Sequence, residues 1–129
     1  MLAVDTNVVV RLVTNDDRTQ VARAKAVFAA NDIFVPKTVL LETEWVLRFT
    51  YELDRPAILR GLRGVLGMAN VTGEDGANVA RALDWYEGGL DLADALHLSA
   101  SGDAKRFATF DARLVKRAKG LATIEVVAV

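Results

Sequence analysis

An acidic residue at the end of the first apolar run is the feature that most limits what this chain can fold into. Residues 2–4 are apolar, and Asp5 follows them directly. Apolar residues at consecutive rather than alternating positions favour a strand that is buried on both faces. Asp5 would then lie at the carboxyl end of that strand, which is the edge where open α/β sheets bind ligands. The opening therefore predicts an α/β protein with a carboxylate at its functional edge.

The rest of the chain predicts strands that alternate with helices. Apolar segments next to turn residues favour strands at residues 33–35, 68–71, 106–109 and 123–129. Helical spacing and capping residues favour helices at residues 7–13, 18–30, 37–53, 54–66, 91–101 and 111–118, and one from 72 to the glycine pair at 88–89. This alternation indicates a parallel sheet with helices on both faces. With 129 residues and no linker or repeat, the chain is expected to form one domain over residues 1–129.

The composition excludes several classes of protein. The chain has no cysteine, so neither a disulfide framework nor a zinc–thiolate site is possible. Its net charge of −1 gives no overall basic signature, so a polyanion would need a local basic patch. No signal peptide and no membrane-length apolar run are found, and a cytoplasmic location is expected.

Two glutamates in the predicted helix 37–53 have different expected environments. On a helical wheel Glu42 falls beside Phe49 in an apolar face. A buried charge needs a partner, so Glu42 predicts a nearby cation. The alternative, that this end of the helix is exposed, stays open. Glu44 has Arg48 four residues later and predicts a solvent-exposed ion pair.

Three acids in the second half of the chain also need an explanation. Asp91 and Asp94 lie in the first turn of one predicted helix, and capping accounts for Asp91. Asp94 lies on a helix that is otherwise mostly buried, which indicates a metal site. Asp111 follows the strand 106–109 as Asp5 follows the first strand, although a helix cap alone would also account for it. If the two strands are parallel neighbours, both acids lie at one sheet edge.

Clustered carboxylates repel one another unless a cation neutralises them. The chain offers no cysteine and one histidine, His97, which is more simply a structural residue. Ligation by oxygen alone favours a hard ion, Mg²⁺ or Mn²⁺. Such an ion activates water and stabilises charge on phosphoryl oxygens, which suits phosphodiester hydrolysis.

Four segments, taken in order, resemble the acidic motifs of the PIN domain family. They are Val-Asp5-Thr-Asn7, Val-Leu-Leu-Glu42-Thr-Glu-Trp-Val-Leu, Asp91-Leu-Ala-Asp94-Ala-Leu-His and Ala-Thr-Phe-Asp111. The resemblance covers essentially the whole chain. The length and spacing are most similar to VapC-type toxins of bacterial toxin–antitoxin pairs.

The resemblance implies a three-layer α/β/α sandwich with a central, mostly parallel sheet. It also implies a metal-dependent endoribonuclease that forms a homodimer and is neutralised by a small antitoxin protein. The cofactor would be Mg²⁺ or Mn²⁺. The catalytic and metal-binding residues that it assigns are Asp5, Glu42, Asp94 and Asp111, with Thr6, Asn7 and Thr109 as supporting polar groups.

Positive side chains near these acids are candidates for contacts with RNA phosphates, which position an RNA without reading its sequence. They are Arg11, Lys37, Arg113, Lys116 and Arg117. For most of them a solvated helix charge is the simpler interpretation. The large aromatic residues could belong either to the core or to an interface, and they are Trp45, Tyr51, Trp85 and Tyr86.

Two other functions compete with a nuclease. A phosphohydrolase of the haloacid dehalogenase type also begins with a strand and an aspartate, but it has a second aspartate two residues later. Asn7 occupies that position here, which argues against it. The other alternative is a catalytically silent module that binds RNA or protein through the same fold. The intact set of acids argues against that.

Overall fold

A computed structural model describes residues 1–129, and the chain divides into two compact units. The first unit is Met1–Asp75 and the second is Gly76–Val129. No helix combines the length and the apolar character that spanning a membrane requires. The single domain expected for residues 1–129 stays a prediction.

The first unit is a three-stranded parallel sheet with four helices. Its elements are β1 (Leu2–Ala3), α1 (Thr6–Val13), α2 (Arg18–Ala30), β2 (Ile33–Val35), α3 (Lys37–Phe49), α4 (Arg55–Leu66) and β3 (Val71–Gly73). The strand order is β1-β2-β3, and Ile33 pairs with Leu2 on one side and Val71 on the other. Because parallel neighbours need crossover connections, two helices separate each strand from the next.

Local chemistry explains where these helices begin. The Asp17 side chain accepts a hydrogen bond from the Gln20 amide at the start of α2, and Asp54 does the same for Ala57 in α4. Such caps satisfy amide groups that have no partner within the helix. The central strand β2 is the best buried, since Ile33 and Val35 have no exposed surface.

Three expectations for the first unit were wrong in detail. β1 is an edge strand of its sheet, and Leu2 is 42% exposed rather than buried. α3 ends at Phe49 instead of continuing to residue 53, because the chain turns at Glu52 with a φ of 54°. The strand expected at residues 68–71 begins only at Val71.

The second unit contains α5 (Gly76–Glu87), α6 (Leu92–Ala100), β4 (Arg106–Thr109), α7 (Ala112–Ala118) and β5 (Glu125–Ala128). β4 and β5 pair in parallel. Gly89 ends α5 with a φ of 114°, a conformation that glycine adopts without strain. The core of this unit comprises Ala82, Trp85, Leu90, Ala95, Leu98, Leu114, Ala118 and Ile124.

Every pair of hydrogen-bonded strands is parallel, and helices separate the strands along the chain. This confirms the predicted fold class, a helix-rich α/β protein with parallel strands. Two boundaries in the second unit were wrong. α5 begins at Gly76 rather than at residue 72, after Asp75 with a φ of 51°, and the last strand covers only Glu125–Ala128.

Candidate active site

Asp5 stands immediately after β1 and forms the N-cap of α1. Its Oδ1 accepts a hydrogen bond of 2.7 Å from the amide of Thr6, and its side chain is exposed. The abrupt change from strand to helix therefore holds this carboxylate in a defined orientation at the carboxyl end of β1. This is the position that the sequence predicts for it.

Thr6 connects this turn to a second predicted site residue. Its hydroxyl is buried and donates a hydrogen bond to Oε1 of Glu42 on α3. Glu42 is itself exposed. Within the first unit, Thr6 thus contacts both Asp5, through its amide, and Glu42, through its hydroxyl. Sequence reasoning gave Thr6 only a supporting role by resemblance and had no means of finding this contact across 36 residues.

The expected environments of the two glutamates on α3 are reversed. Glu44 is 1% exposed, and its carboxylate lies 3.0 Å and 3.2 Å from Nε and Nη2 of Arg48. The face that carries Glu42 is open to solvent, with Trp45 54% and Phe49 57% exposed. The structure therefore agrees with the alternative interpretation of Glu42, in which this part of α3 is exposed.

The physical reason is that helical spacing identifies which residues share a face but not which face is covered. The buried face of α3 consists of Leu40, Thr43, Glu44 and Leu47. Trp45 and Phe49 are apolar but lie on the exposed face, so the pattern of apolar residues predicted the wrong face of α3 as buried. The ion pair of Glu44 is therefore a buried structural contact rather than the solvated one expected.

In the second unit, Asp94 lies in the first turn of α6 and is partly buried. Burial raises the pKa of its carboxyl group above the ordinary value, and the negative charges of Asp91 and Asp111 raise it further. His97 opposes this shift. Asp94 and Asp111, two of the predicted site residues, therefore lie close enough to influence each other, and a cation placed there would be favoured.

Asp111 is the N-cap of α7, which is the structural role that the sequence left open beside a metal-binding one. Its Oδ1 accepts hydrogen bonds of 2.9 Å and 3.2 Å from the amides of Arg113 and Leu114. Its own amide donates to the Thr109 hydroxyl at 3.0 Å, which gives that threonine a role in fixing the turn. Asp91 occupies the N-cap position of α6, although its side chain makes no capping hydrogen bond there.

The donor chemistry of these residues fits a hard divalent cation. All four predicted ligands are carboxylates, and carboxylate oxygens are what Mg²⁺ and Mn²⁺ prefer. The electrostatics of Asp94 point the same way, because burial and then the negative charges of Asp91 and Asp111 raise the pKa of its carboxyl group, and a cation would offset both effects. As the chain stands, no group of three or more acidic, histidine or cysteine side chains is close enough to hold a metal ion.

The five candidate basic residues fall into two groups. Arg11 forms an ion pair with Asp16 at 3.0 Å and donates a hydrogen bond to the hydroxyl of Tyr51 at 2.8 Å. Lys37 pairs with Asp75 at 3.2 Å. The remaining three are exposed and form no ion pair, and they all lie on α7: Arg113, Lys116 and Arg117.

The large aromatic residues also separate. Trp85 and Tyr86 are buried in α5, whereas Trp45 is exposed on α3. Phe110, which the sequence analysis did not single out, is 89% exposed and directly precedes Asp111. A large apolar residue between a strand and a capping aspartate is the one sequence feature that could have drawn attention to it.

Comparison with known proteins assigns the chain to a family. A search of curated proteins found none that matches it. The model of the PIN domain family matches residues 2–120, which is most of the chain. PIN domains are generally nucleases and generally use divalent metal ions. The haloacid dehalogenase alternative is left without support, and the chain belongs to the PIN domain family.

Proposed function

We propose that this protein is a metal-dependent endoribonuclease that hydrolyses phosphodiester bonds in RNA. Family membership carries the proposal, because PIN domains are generally nucleases. The crowding of negative charge around Asp94 in the second unit supports it.

We assign the catalytic and metal-binding roles to Asp5, Glu42, Asp94 and Asp111, following the family's acidic motifs. Bound Mg²⁺ or Mn²⁺ would lower the pKa of a water molecule and would stabilise negative charge on the phosphoryl oxygens. The chain's own contribution is to hold the carboxylates in position. The Thr6 hydroxyl orients Glu42, and the backbone amides at the start of α1 and α7 orient Asp5 and Asp111.

The test compares wild type with Asp5→Asn on a circular RNA, which only an endonuclease can open. Asparagine also caps helices well, so this change removes the charge and keeps the cap. We expect cleavage with Mg²⁺ or Mn²⁺ and none in EDTA. We expect Asp5→Asn to be slower by roughly 100-fold or more, equivalent to about 3 kcal/mol of barrier.

Asp32→Asn is the matched control, because Asp32 is an exposed acid of the same unit as Asp5 and has no proposed role. It should cleave like wild type. Equal rates for Asp5→Asn and Asp32→Asn would contradict the assignment of Asp5. No cleavage by wild type with either metal would favour a silent binding module.

The resemblance to VapC-type toxins supports a finer proposal, that the nuclease is the toxin of a toxin–antitoxin pair and acts as a homodimer. The exposed apolar face of α3 at Trp45 and Phe49 is the kind of surface that protein interfaces use. An antitoxin would lay a disordered or helical segment in an apolar groove. Light scattering tests the dimer, and co-purification with the product of a short adjoining reading frame tests the antitoxin. A protein that stays a strict monomer, both alone and in the presence of that product, would rule out this assembly.

A further inference from the structure

Positive charge is concentrated around Asp111 although the chain as a whole is slightly acidic. Residues 103–119 contain six basic and two acidic side chains, a net charge of +4, whereas the whole chain carries −1. A local basic patch on a protein of this overall charge is the electrostatic footprint expected for binding a polyanion. The patch belongs entirely to the second unit.

The exposed face of α7 carries most of this charge. Arg113, Lys116 and Arg117 are spaced i, i+3 and i+4, and all three are exposed. Side chains at this spacing are neighbours, and like charges there destabilise a helix. The helix dipole favours basic residues in the last turn, but Arg113 lies at the other end, where the dipole disfavours it. Helix stability alone therefore does not account for this face, and an anionic ligand would relieve the repulsion.

Phe110 presents an aromatic ring beside this face. It is 89% exposed, the most exposed large apolar side chain in the chain. Hydrogen bonds fix the backbone around it. The Asp111 amide donates to the Thr109 hydroxyl at 3.0 Å, and the Val129 amide donates to the Thr109 carbonyl at 3.1 Å. The ring is thus held in solvent by an ordered backbone, at a cost that burial elsewhere would have avoided.

The other exposed aromatic residues already have partners. The rings of Trp45 and Phe49 lie 5.1 Å apart, and the Arg48 guanidinium lies 4.6 Å from the Phe49 ring centre. Phe110 has neither a ring nor a cation against it. Both faces of its ring are open to a ligand.

We propose that Phe110 and the basic face of α7 form a binding surface for single-stranded RNA, in which an unpaired base stacks on the Phe110 ring. The adjoining phosphates contact Arg113, Lys116 and Arg117. Unstacked bases of single strands pack on aromatic side chains, and basic residues follow the backbone beside them. The nature of the ligand rests on the proposed function, and the inference assigns particular residues of this chain to its recognition.

The consequence is a preference for unpaired nucleotides close to the cut. Phe110 and Asp111 are neighbours, with α-carbons about 3.8 Å apart. A base stacked on Phe110 is therefore bound next to a residue with a proposed catalytic role, Asp111. In an A-form duplex the bases are stacked on each other and cannot reach the ring. Double-stranded RNA should consequently be a poor ligand.

The experiment measures binding in EDTA, so that its outcome does not depend on cleavage. Fluorescence anisotropy follows a short labelled single-stranded oligoribonucleotide and its duplex, titrated with the full chain. We expect wild type to prefer the single strand. Phe110→Ala should bind it roughly 5- to 150-fold more weakly, the range found when a base loses its aromatic partner.

Substitutions at one position separate stacking from simple apolar contact. Phe110→Tyr keeps a ring and should bind like wild type, whereas Phe110→Leu keeps apolar surface without a ring and should bind like Phe110→Ala. Met68→Ala is the control for loss of an exposed apolar side chain in the first unit, and it should leave RNA affinity unchanged. Arg113→Ala should reduce the slope of log affinity against log salt by about 0.7 for the phosphate contact it removes.

Three results would overturn the inference. They are equal affinity for duplex and single strand, wild-type affinity of Phe110→Ala, and equal binding by Phe110→Leu and Phe110→Tyr. If Phe110→Ala instead disrupts assembly and leaves RNA binding intact, the surface is a protein interface. The proposed nuclease could survive each of these results. Conversely, a wild type that binds single strands as described but cleaves nothing would support this surface and reject the nuclease.

Discussion

Replacing Glu44 by glutamine should destabilise the protein, whereas the same change at Glu42 should not. Glu44 is almost wholly buried and accepts two contacts from Arg48, at 3.0 Å and 3.2 Å. A hydrogen bond to a charged group contributes about 1.5 to 3 kcal/mol and a neutral one about 0.5 to 1.5 kcal/mol. Glutamine keeps the shape and loses the charge, and Arg48 is 41% exposed, so solvent weakens the pair. We expect a loss of about 1 to 2 kcal/mol.

The assay is thermal unfolding of wild type, Glu44→Gln and Glu42→Gln in EDTA. For a chain of this size, the expected loss for Glu44→Gln corresponds to a Tm lower by roughly 4 to 10 °C. Glu42→Gln should melt within about 0.5 kcal/mol of wild type, because Glu42 is exposed. Cleavage rates should show the opposite order, with the larger loss in Glu42→Gln. Equal melting of the two variants, or a lower Tm for Glu42→Gln, would refute the reversed orientation of α3.

Two further changes probe the residues that support the proposed site. Thr6→Val removes the hydroxyl that donates to Glu42 and keeps the shape of the buried side chain. The free energy of unfolding should fall by about 1 kcal/mol. The cleavage rate should fall by more than the decrease in the folded fraction explains. Asp94→Asn should melt higher than wild type in EDTA at pH 7. Burial, followed by the charges of Asp91 and Asp111, raises the folded-state pKa of Asp94, so its stabilising contribution is present below about pH 4 and is lost as the pH rises through the folded value. The difference in Tm between the two proteins should therefore shrink on acidification, and Mg²⁺ or Mn²⁺ should raise the Tm of wild type more than that of the variant. A variant that melts lower than wild type in EDTA would make Asp94 a structural acid.

Elements with local determinants could be predicted closely from sequence. The bounds of α2, β2 and β4 agree with the sequence expectation, because caps, turn residues and apolar spacing act within a few residues. The end of α3 could not be predicted in this way. After the helix ends, Glu52 adopts a positive φ, and the Leu53 amide donates a hydrogen bond to the Leu47 carbonyl. No residue type in that segment requires this turn.

The proposed site shows the same division. The ordered acidic motifs single out Asp5, Glu42, Asp94 and Asp111 by resemblance to the family, and their assignment to one metal site stays a prediction. Which side of α3 faces the core was beyond reach, since it depends on packing with distant segments. Glu42 and Glu44 differ by two positions on one helix, and only tertiary structure decides which of them is buried.

The sequence left helix capping and metal binding as competing explanations for Asp111, which follows β4, and the structure shows that Asp5, which follows β1, is a helix cap as well. The hydrogen bonds make capping and metal binding compatible. Asp5 uses Oδ1 to accept from the Thr6 amide, and Asp111 uses Oδ1 to accept from the amides of Arg113 and Leu114. In each carboxylate Oδ2 makes no hydrogen bond within the chain, so it stays available to a cation or a water. The cap fixes the rotamer of the side chain, and that reduces the entropy lost when a ligand binds. A capping aspartate at the end of a strand is therefore a preorganised oxygen donor, and its structural role strengthens the functional assignment.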